Sequence, residues 1–164
     1  MPFSYNVAGV VACIRKAILT SLTAQGEAPA MVPATFSVEQ YQFSTLPLPI
    51  TMIEIGHTSI SHEEGPVSAL LTLNGSIHHI RTRDETGDAE IIALTRLGGI
   101  GAELESDYKL YNSGGAAIPI REIMMTALMV GGTERVMMGL ENSYQNVSMA
   151  IVSMPFIVTW NEGP

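Results

Sequence analysis

Apolar side chains near the start of the chain recur at the spacing of one helix face. Between residues 5 and 25 the stripe consists of Val7, Val10, Val11, Ile14, Ile18 and Leu22. Positions three, four and seven residues apart share one side of an α-helix, so this pattern predicts an amphipathic helix. Ser4 or Asn6 can cap its start, and Gly26 stands where a helix C-cap is expected.

Alternation of apolar and polar residues replaces this spacing further along. After a loop at GEAPAMVPATF (26–36), residues 38–43 alternate in the manner of a half-buried strand. Pro47 and Pro49 interrupt the pattern, and ITMIEI (50–55) predicts a second strand.

The segment VSALLTLNGSIHHIRTR (67–83) predicts a β-hairpin. Two β-prone runs flank Asn74-Gly75, a pair that suits a type I′ turn because both of its central residues need positive φ. In this hairpin Leu73 would face Ser76, and Leu71 would face His78.

The middle of the chain is less regular. TGDAEIIALTRLGG (86–99) fits either a short helix, with Asp88 near the positive end of the helix dipole, or a strand, and we favour the helix. ESDYKLYNSGGAA (105–117) is typical of an exposed loop. IPIREIMMTALMVGG (118–132) predicts another helix, with Pro119 in its first turn and Ile120, Ile123 and Met124 on one face.

The last segments predict a hairpin. TERVMMGL (133–140) and the apolar run VSMAIVSMPFIVTW (147–160) would pair across ENSYQN (141–146), with Pro155 at an edge or a bulge. The run 147–160 is too short for a membrane-spanning helix, which needs roughly 20 apolar residues. We therefore expect no membrane association.

Together these elements predict one α+β domain over residues 1–164. It would have a mostly antiparallel sheet, an N-terminal amphipathic helix and one or two further helices packed on it. We see no signal peptide and expect intracellular synthesis. Cys13, the one cysteine, cannot form an internal disulfide.

The composition bears on what surrounds the domain. Charged residues make up 15% of the chain and apolar residues 46%, whereas roughly 25% charge is ordinary for a globular domain. Extensive exposed apolar surface usually marks an interface, so we expect partners to cover part of this surface. The alternative is a monomer covered by Ser, Thr, Asn and Gln. A net charge of −8 argues against wrapping nucleic acid.

The sequence offers little catalytic chemistry. His78 and His79 are neighbours on a predicted strand and point to opposite faces, so they cannot both bind one ion locally. LGGIGAEL (97–104) lacks the third glycine of a dinucleotide fingerprint, and a hinge between elements explains it better. We expect no catalytic residues, no cofactor and no metal.

Methionine clusters and the closing strand are candidates for subunit contact instead, because methionine adapts to irregular partners. The alternative for these residues is ordinary core packing. The candidate interface residues are Met149, Ile151, Met154, Phe156, Met137 and Met138.

The order of elements resembles that of a tailed-bacteriophage tail terminator, or tail-completion (neck) protein. The resemblance is carried by the opening helix VAGVVACIRKAILTSL, the proline-marked strand entry STLPLPITMIEI, the Asn-Gly hairpin, the internal helices and a closing apolar strand that ends in Trp160. Segment 98–118 departs from the family's compact pattern, and no short motif matches residue by residue.

The resemblance implies a non-enzymatic virion protein, assembled in the host cytoplasm. Such proteins form hexameric rings that cap the tail tube and meet the neck or head connector, and DNA passes through the ring without specific binding. Two alternatives remain: a tail-tube or head-tail connector subunit, and a small ligand-binding or enzymatic α+β domain that uses the histidines or LGGIG.

Overall fold

The computed structural model describes residues 6–27, 48–62, 69–83, 87–106, 109–111, 117–138 and 144–162. The helices are α1 (Val7–Ala24) and α2 (Ala89–Ser106), and the strands are β1 (Ile50–Ser61), β2 (Ala69–Thr82), β3 (Lys109–Tyr111), β4 (Ala117–Met125), β5 (Met129–Met138) and β6 (Tyr144–Glu162). This arrangement is an α+β fold, as the sequence predicts. The strand expected over 38–43 lies outside the described residues.

Helix α1 forms where the apolar stripe places it. The Asn6 side chain caps it by accepting the Gly9 N–H at 3.2 Å, and Gly26 follows the last turn with φ of 78°. Its length and composition would also suit a membrane-spanning helix. The stripe is nevertheless turned into the protein, since Val10, Ile14 and Ile18 are at most 1% exposed.

The strands form a six-stranded sheet in the order β1-β2-β6-β4-β3, with β5 also paired to β6. Every pairing among the described strands is antiparallel. The apolar run 147–160 lies within β6, which is central, with β2 on one side and β4 and β5 end to end on the other.

Strand β2 corrects the predicted hairpin. It runs unbroken through Asn74-Gly75, where Gly75 lies opposite Ile55 on β1 and Phe156 on β6. A Cβ at Gly75 would lie 2.7 Å from the Glu54 carbonyl oxygen and 2.8 Å from the Phe156 ring. This glycine therefore makes room for an aromatic ring. In the sequence alone, an Asn-Gly pair with this role looks the same as one that forms a turn.

Helix α2 confirms the preferred helix over 86–99 but extends it to Ser106, so the predicted hinge at 97–104 is wrong. The glycines of LGGIG lie inside the helix, which they weaken by roughly 1 kcal/mol each relative to alanine. Packing compensates: Leu97, Ile100 and Leu104 are at most 3% exposed.

Segment 118–132 corrects the second helix prediction, because it forms β4 and the start of β5. Ile120, Ile123 and Met125 pair with Trp160, Val158 and Phe156 of β6. Their spacing fits either a helix or an irregular strand, and the apolar partner strand decides the outcome. The predicted loop 105–117 is wrong in part, since Lys109–Tyr111 forms β3 and pairs with β4.

The closing hairpin is confirmed, with β5 and β6 paired from Met129–Ser153 to Met138–Tyr144. Pro155 lies opposite the break between β4 and β5, where its carbonyl oxygen accepts the Thr126 N–H at 3.0 Å. A proline is thus tolerated in a central strand because the neighbouring ladder is interrupted there.

Both helices cover one face of the sheet, which we call the helix face. The main core lies there and contains Val10, Ile14, Leu71, Leu97, Phe156 and Trp160 among others. A smaller buried cluster consists of Ile50, Met52, Ile80 and Met149. Met149 is thus buried as completely as Ala150 beside it.

Candidate functional site

The most exposed apolar stretch of the described chain lies where β4 gives way to β5. Leu128, Met129 and Val130 are 48%, 51% and 56% exposed, and Gly131 follows them. We call Leu128–Gly131 the open edge, because no strand in the described residues pairs with the side of β5 that faces away from β6. Its free N–H and C=O groups can pair with another strand.

A groove of about 450 Å³ lies between α2 and the open edge. Small residues on one side of α2 create it: Gly98, Gly101 and Ala102 line it opposite Ala127 and Leu128. A Cβ at Gly98 would meet nothing within 4 Å, so the groove is open there. The flexible side chains of Met125 and Met154 also line it.

The neighbouring part of the same sheet edge is occupied at two points. The Glu105 carboxylate at the end of α2 accepts the Met125 N–H at 2.7 Å, and β3 pairs with β4 at Ala117–Pro119. These contacts occupy groups that an incoming strand would need. Beyond Met125 no such contact covers the edge within the described part of the chain.

The opposite edge of the sheet is the outer side of β1. Gly56, His57, Ser59, Ile60 and Ser61 are exposed there, and Ile60 is the largest apolar side chain, at 46%. The pairing of β1 with β2 shifts between Ile55 and Thr58, then continues regularly through Ser61. Segments 56–61 and 126–131 contain no Asp, Glu, Lys or Arg. Natural edges are usually protected by such charges, so both segments are unprotected.

A buried charged cluster joins the end of α1 to β2 and α2. The Glu27 carboxylate, 8% exposed, accepts hydrogen bonds from Arg81 and Arg96. Arg81 also lies 3.2 Å from His79 Nε2, and His79 Nδ1 lies 2.9 Å from Thr51 Oγ1. Since a guanidinium only donates, Nε2 must accept, and Nδ1–H then donates to Thr51.

The charges of this cluster set its protonation. Burial opposes ionisation of Glu27, but the hydrogen bonds from Arg96 and Arg81 outweigh it, so the pKa of Glu27 lies below its ordinary value. Burial lowers the pKa of His79 to about 4, against the attraction of Glu27 and with the repulsion of Arg81 and Arg96. The cluster is therefore a structural clamp with a neutral imidazole.

His78, on the other face of β2, is in a different arrangement. Its Nδ1 lies 2.6 Å from Ser153 Oγ on β6, and its Nε2 lies 3.8 Å from Glu54 Oε2 on β1. Burial lowers the pKa of His78, and the nearby Glu54 carboxylate partly offsets this. The predicted opposite orientation of the two histidines is confirmed.

Ser153, His78 and Glu54 have the order of a nucleophile, a base and a carboxylate. The carboxylate is beyond hydrogen-bond distance of the imidazole, and Ser153 lies on the sheet face of a central strand. The N–H groups of such a strand are engaged in ladder pairing on both sides. Among the described residues we therefore find no oxyanion donors oriented toward Ser153.

The candidate interface residues from the sequence lie mostly inside the chain. Met149, Met154 and Phe156 are at most 2% exposed, and Ile151 is half-buried. Met137 and Met138 belong to β5, but their side chains are outside the described set. Sequence reasoning missed Leu128–Val130 because it assigned them to a helix.

The described ranges contain no group of three His, Cys, Asp or Glu side chains suited to a metal ion. No protein-family model and no curated protein matches the sequence.

Proposed function

We propose that this chain is a structural subunit of a phage-like particle, which forms a closed ring similar to a tail terminator. Such a ring, a homohexamer in the family that the sequence resembles, would cap the tail tube and join it to the neck or head connector. Its place would be the virion, after assembly in the host cytoplasm. No catalytic step is part of this function.

The observation that carries the proposal is the unprotected open edge. A chain with 15% charged residues leaves three consecutive apolar side chains about half exposed on a strand with free backbone groups. Large exposed apolar patches mark interaction sites on soluble proteins, and unpaired edges promote association. A ring subunit has neighbours on two sides, which accounts for both features.

The charge also suits a particle through which DNA passes. With a net charge of −8, the protein gains little from contact with phosphates, because binding to nucleic acid depends on clustered Lys and Arg. On the side of the sheet away from the helices, Thr72, Asn74 and Thr159 are half-buried. The charged residues Glu54 and Glu122 on this side are acidic. Such a surface would let a polyanion pass without being held.

A tail-tube subunit is the second candidate, and one observation favours it. Among the described residues, Tyr144–Ser148 of β6 pair with β5 and with no other strand, since the pairing of β2 with β6 ends at Thr82–Met149. The β5–β6 hairpin thus extends past the rest of the sheet. An arm of this kind can reach a subunit in the next layer of a tube.

Light scattering over a concentration series, followed by negative-stain imaging, separates these candidates. A terminator-like subunit gives discrete rings that bind the ends of tubes made by the cognate tail-tube protein and stop their growth. Long self-assembled tubes would instead support the tube candidate. A monomer at every concentration that ignores tube ends would overturn both.

Substitution of the open edge tests the observation directly. Met129→Lys with Val130→Lys should abolish assembly, because two charges would enter an apolar contact. Ile91→Lys is the matched control, since Ile91 on α2 is 63% exposed and equally apolar. Loss of assembly in both variants would show that exposed apolar surface in general, rather than the open edge, holds the copies together.

A further inference from the structure

Within the described ranges the sheet has two unprotected edge segments, at its opposite sides. One is the open edge of β5 and the other is the exposed end of β1, residues 56–61. An edge segment without charge, in an otherwise soluble protein, calls for a strand to cover it. The exposed end of β1 in one copy is one strand that could cover the open edge of β5 in a neighbouring copy.

The strand directions allow this pairing. Across the sheet, β1, β2, β6 and then β5 alternate in direction, because each neighbouring pair is antiparallel. β1 and β5 therefore run in opposite directions. When a second copy follows the first in the same orientation, its β1 lies antiparallel beside β5, and the alternation continues across the boundary.

The exposed apolar side chains also fall on the same face. Residues directly opposite each other in an antiparallel pair point to the same side. Ile60 is opposite Leu71, and Val130 is opposite Val152, and both partners belong to the main core. Ile60 and Val130 therefore both lie on the helix face, 46% and 56% exposed, at the two edges.

We propose that β1 of one copy pairs antiparallel with β5 of the next, with Ile60 opposite Val130. This inference rests on the proposed ring and names the contact that closes it. In this register Ser61 lies opposite Met129, and Ser59 lies opposite Gly131. Ile60 then covers Val130 beside the groove at Gly98, where Leu128 is also exposed.

A second copy fits better than an unrelated protein, because each edge segment can pair with the free backbone groups of the other and cover its exposed apolar side chain. In the proposed register residues 56–61 lie opposite residues 129–134. Glu134 is the one charged residue among them and lies opposite Gly56, so no like charges meet, although each chain has a net charge of −8. The contact is also heterologous, so it repeats from copy to copy until rotation closes it. A two-fold pairing of β5 with β5 would leave the β1 segment uncovered.

Disulfide trapping between two variants tests the contact. Ile60→Cys and Val130→Cys are made separately in the full chain and mixed above the concentration at which the unmodified protein assembles. A mild oxidant such as diamide accepts the two electrons released when the thiols join. Residues opposite each other in a sheet are close enough for a disulfide, and Cys13 is 2% exposed with its pKa raised by burial, so it stays inert.

The expected result is a shift from one chain to two on a non-reducing gel, in the mixture only. Mass spectrometry should identify one peptide containing position 60 joined to one containing position 130. Ile91→Cys mixed with Val130→Cys is the control for random collision and should stay at one chain. Circular dichroism of each variant confirms folding, which the exposure of both sites favours.

The other outcomes are decisive as well. Rings without this disulfide would overturn the β1–β5 contact and leave the proposed function standing. A disulfide in Val130→Cys alone would show two-fold pairing of β5 and overturn the contact in the same way. Absence of any assembly would overturn both the contact and the ring.

Discussion

The two faces of β2 bury adjacent histidines in different surroundings. On the helix face, His79 is 1% exposed and lies against Arg81, which also holds Glu27. On the other face, His78 is 8% exposed and lies between the Ser153 hydroxyl and the Glu54 carboxylate. Each imidazole has one hydroxyl on its Nδ1, so the difference lies at Nε2.

That difference decides what a proton would do. A proton on His79 Nε2 would face a guanidinium, which can only donate hydrogen bonds. A proton on His78 Nε2 would face a carboxylate 3.8 Å away. His79, on the helix face, is therefore held in its neutral form more firmly than His78 on the other face. Burial is the largest cause of the lowered pKa of both histidines, and their charged neighbours modify it: Glu54 opposes it at His78, whereas Arg81 and Arg96 add to it at His79 against Glu27.

The largest expected effect comes from removing the charge at the centre of the helix-face cluster. Glu27→Ala leaves Arg81 and Arg96 facing each other without a carboxylate, and we expect a loss of about 3 kcal/mol in the free energy of unfolding. Urea denaturation at pH 7.5 measures it. Since Glu27 joins α1 to β2 and α2, we expect the contacts of α1 in this variant to be lost at a lower urea concentration than in the unmodified protein.

Glu90→Ala is the control for this substitution. Glu90 binds Arg83 in a pair whose side chains are 26% and 38% exposed, so the cost should stay below about 1 kcal/mol. Equal losses for the two variants would mean that burial of the Glu27 cluster contributes nothing to stability.

The next effect is a dependence of stability on pH. The pKa of His79 falls from an ordinary 6.5 to about 4 in the folded protein. Between these values the unfolded chain binds a proton that the folded chain does not, so stability is present above pH 6.5 and is lost as pH falls toward 4. We expect a loss on the order of 3 kcal/mol over this window from His79.

Chemical denaturation at several pH values between 7.5 and 4 measures this slope in the unmodified protein, in His79→Asn and in His78→Asn. Asparagine keeps a polar group near Nδ1 but does not titrate. The His79 variant should lose most of the slope, and the His78 variant less, because Glu54 partly offsets the shift there. A larger change in the His78 variant would reverse the comparison.

The smallest effects should come from the two hydroxyl partners. Thr51→Val removes the acceptor of a hydrogen bond in a site that is 1% exposed, and should cost about 1–2 kcal/mol. Ser153→Ala removes the corresponding partner of His78 at a position that is itself only half-buried, and should cost less than about 1 kcal/mol. Thermal unfolding of the two variants at pH 7.5 compares them, and an equal cost would show that depth of burial is irrelevant here.

Periodicity in the sequence predicts an element correctly where the signals that form it are local. The stripe of α1 and its Asn6 cap are local features, and both form as expected. The Asn74-Gly75 hairpin and the 118–132 helix fail for a common reason. The Phe156 ring, about 80 residues away in sequence, leaves room only for a glycine at position 75. Ile123 is held in a strand by its cross-strand neighbour Val158, about 35 residues away. Contacts of that range leave no local signal.

The candidate site was less accessible from sequence than the fold. The opposite orientation of His78 and His79 follows from strand geometry, and the structure confirms it. The apolar residues chosen as contact candidates, such as Phe156, are those with the strongest β pattern, which is also the pattern of a core strand. Whether Val130 is exposed depends on where β4 stops, and that break depends on Thr126 bonding to Pro155.

The Glu105 carboxylate would also restrict the register of the proposed contact between copies. A strand bound along an uncharged edge can slip by two residues and keep its side chains on the same face. In the contact proposed above, two such slips toward β4 would bring Ser61 opposite Met125, whose N–H Glu105 already occupies. In the proposed contact Glu105 would thus limit how far the bound strand can slide, so that neutral side chains could still pair in one register.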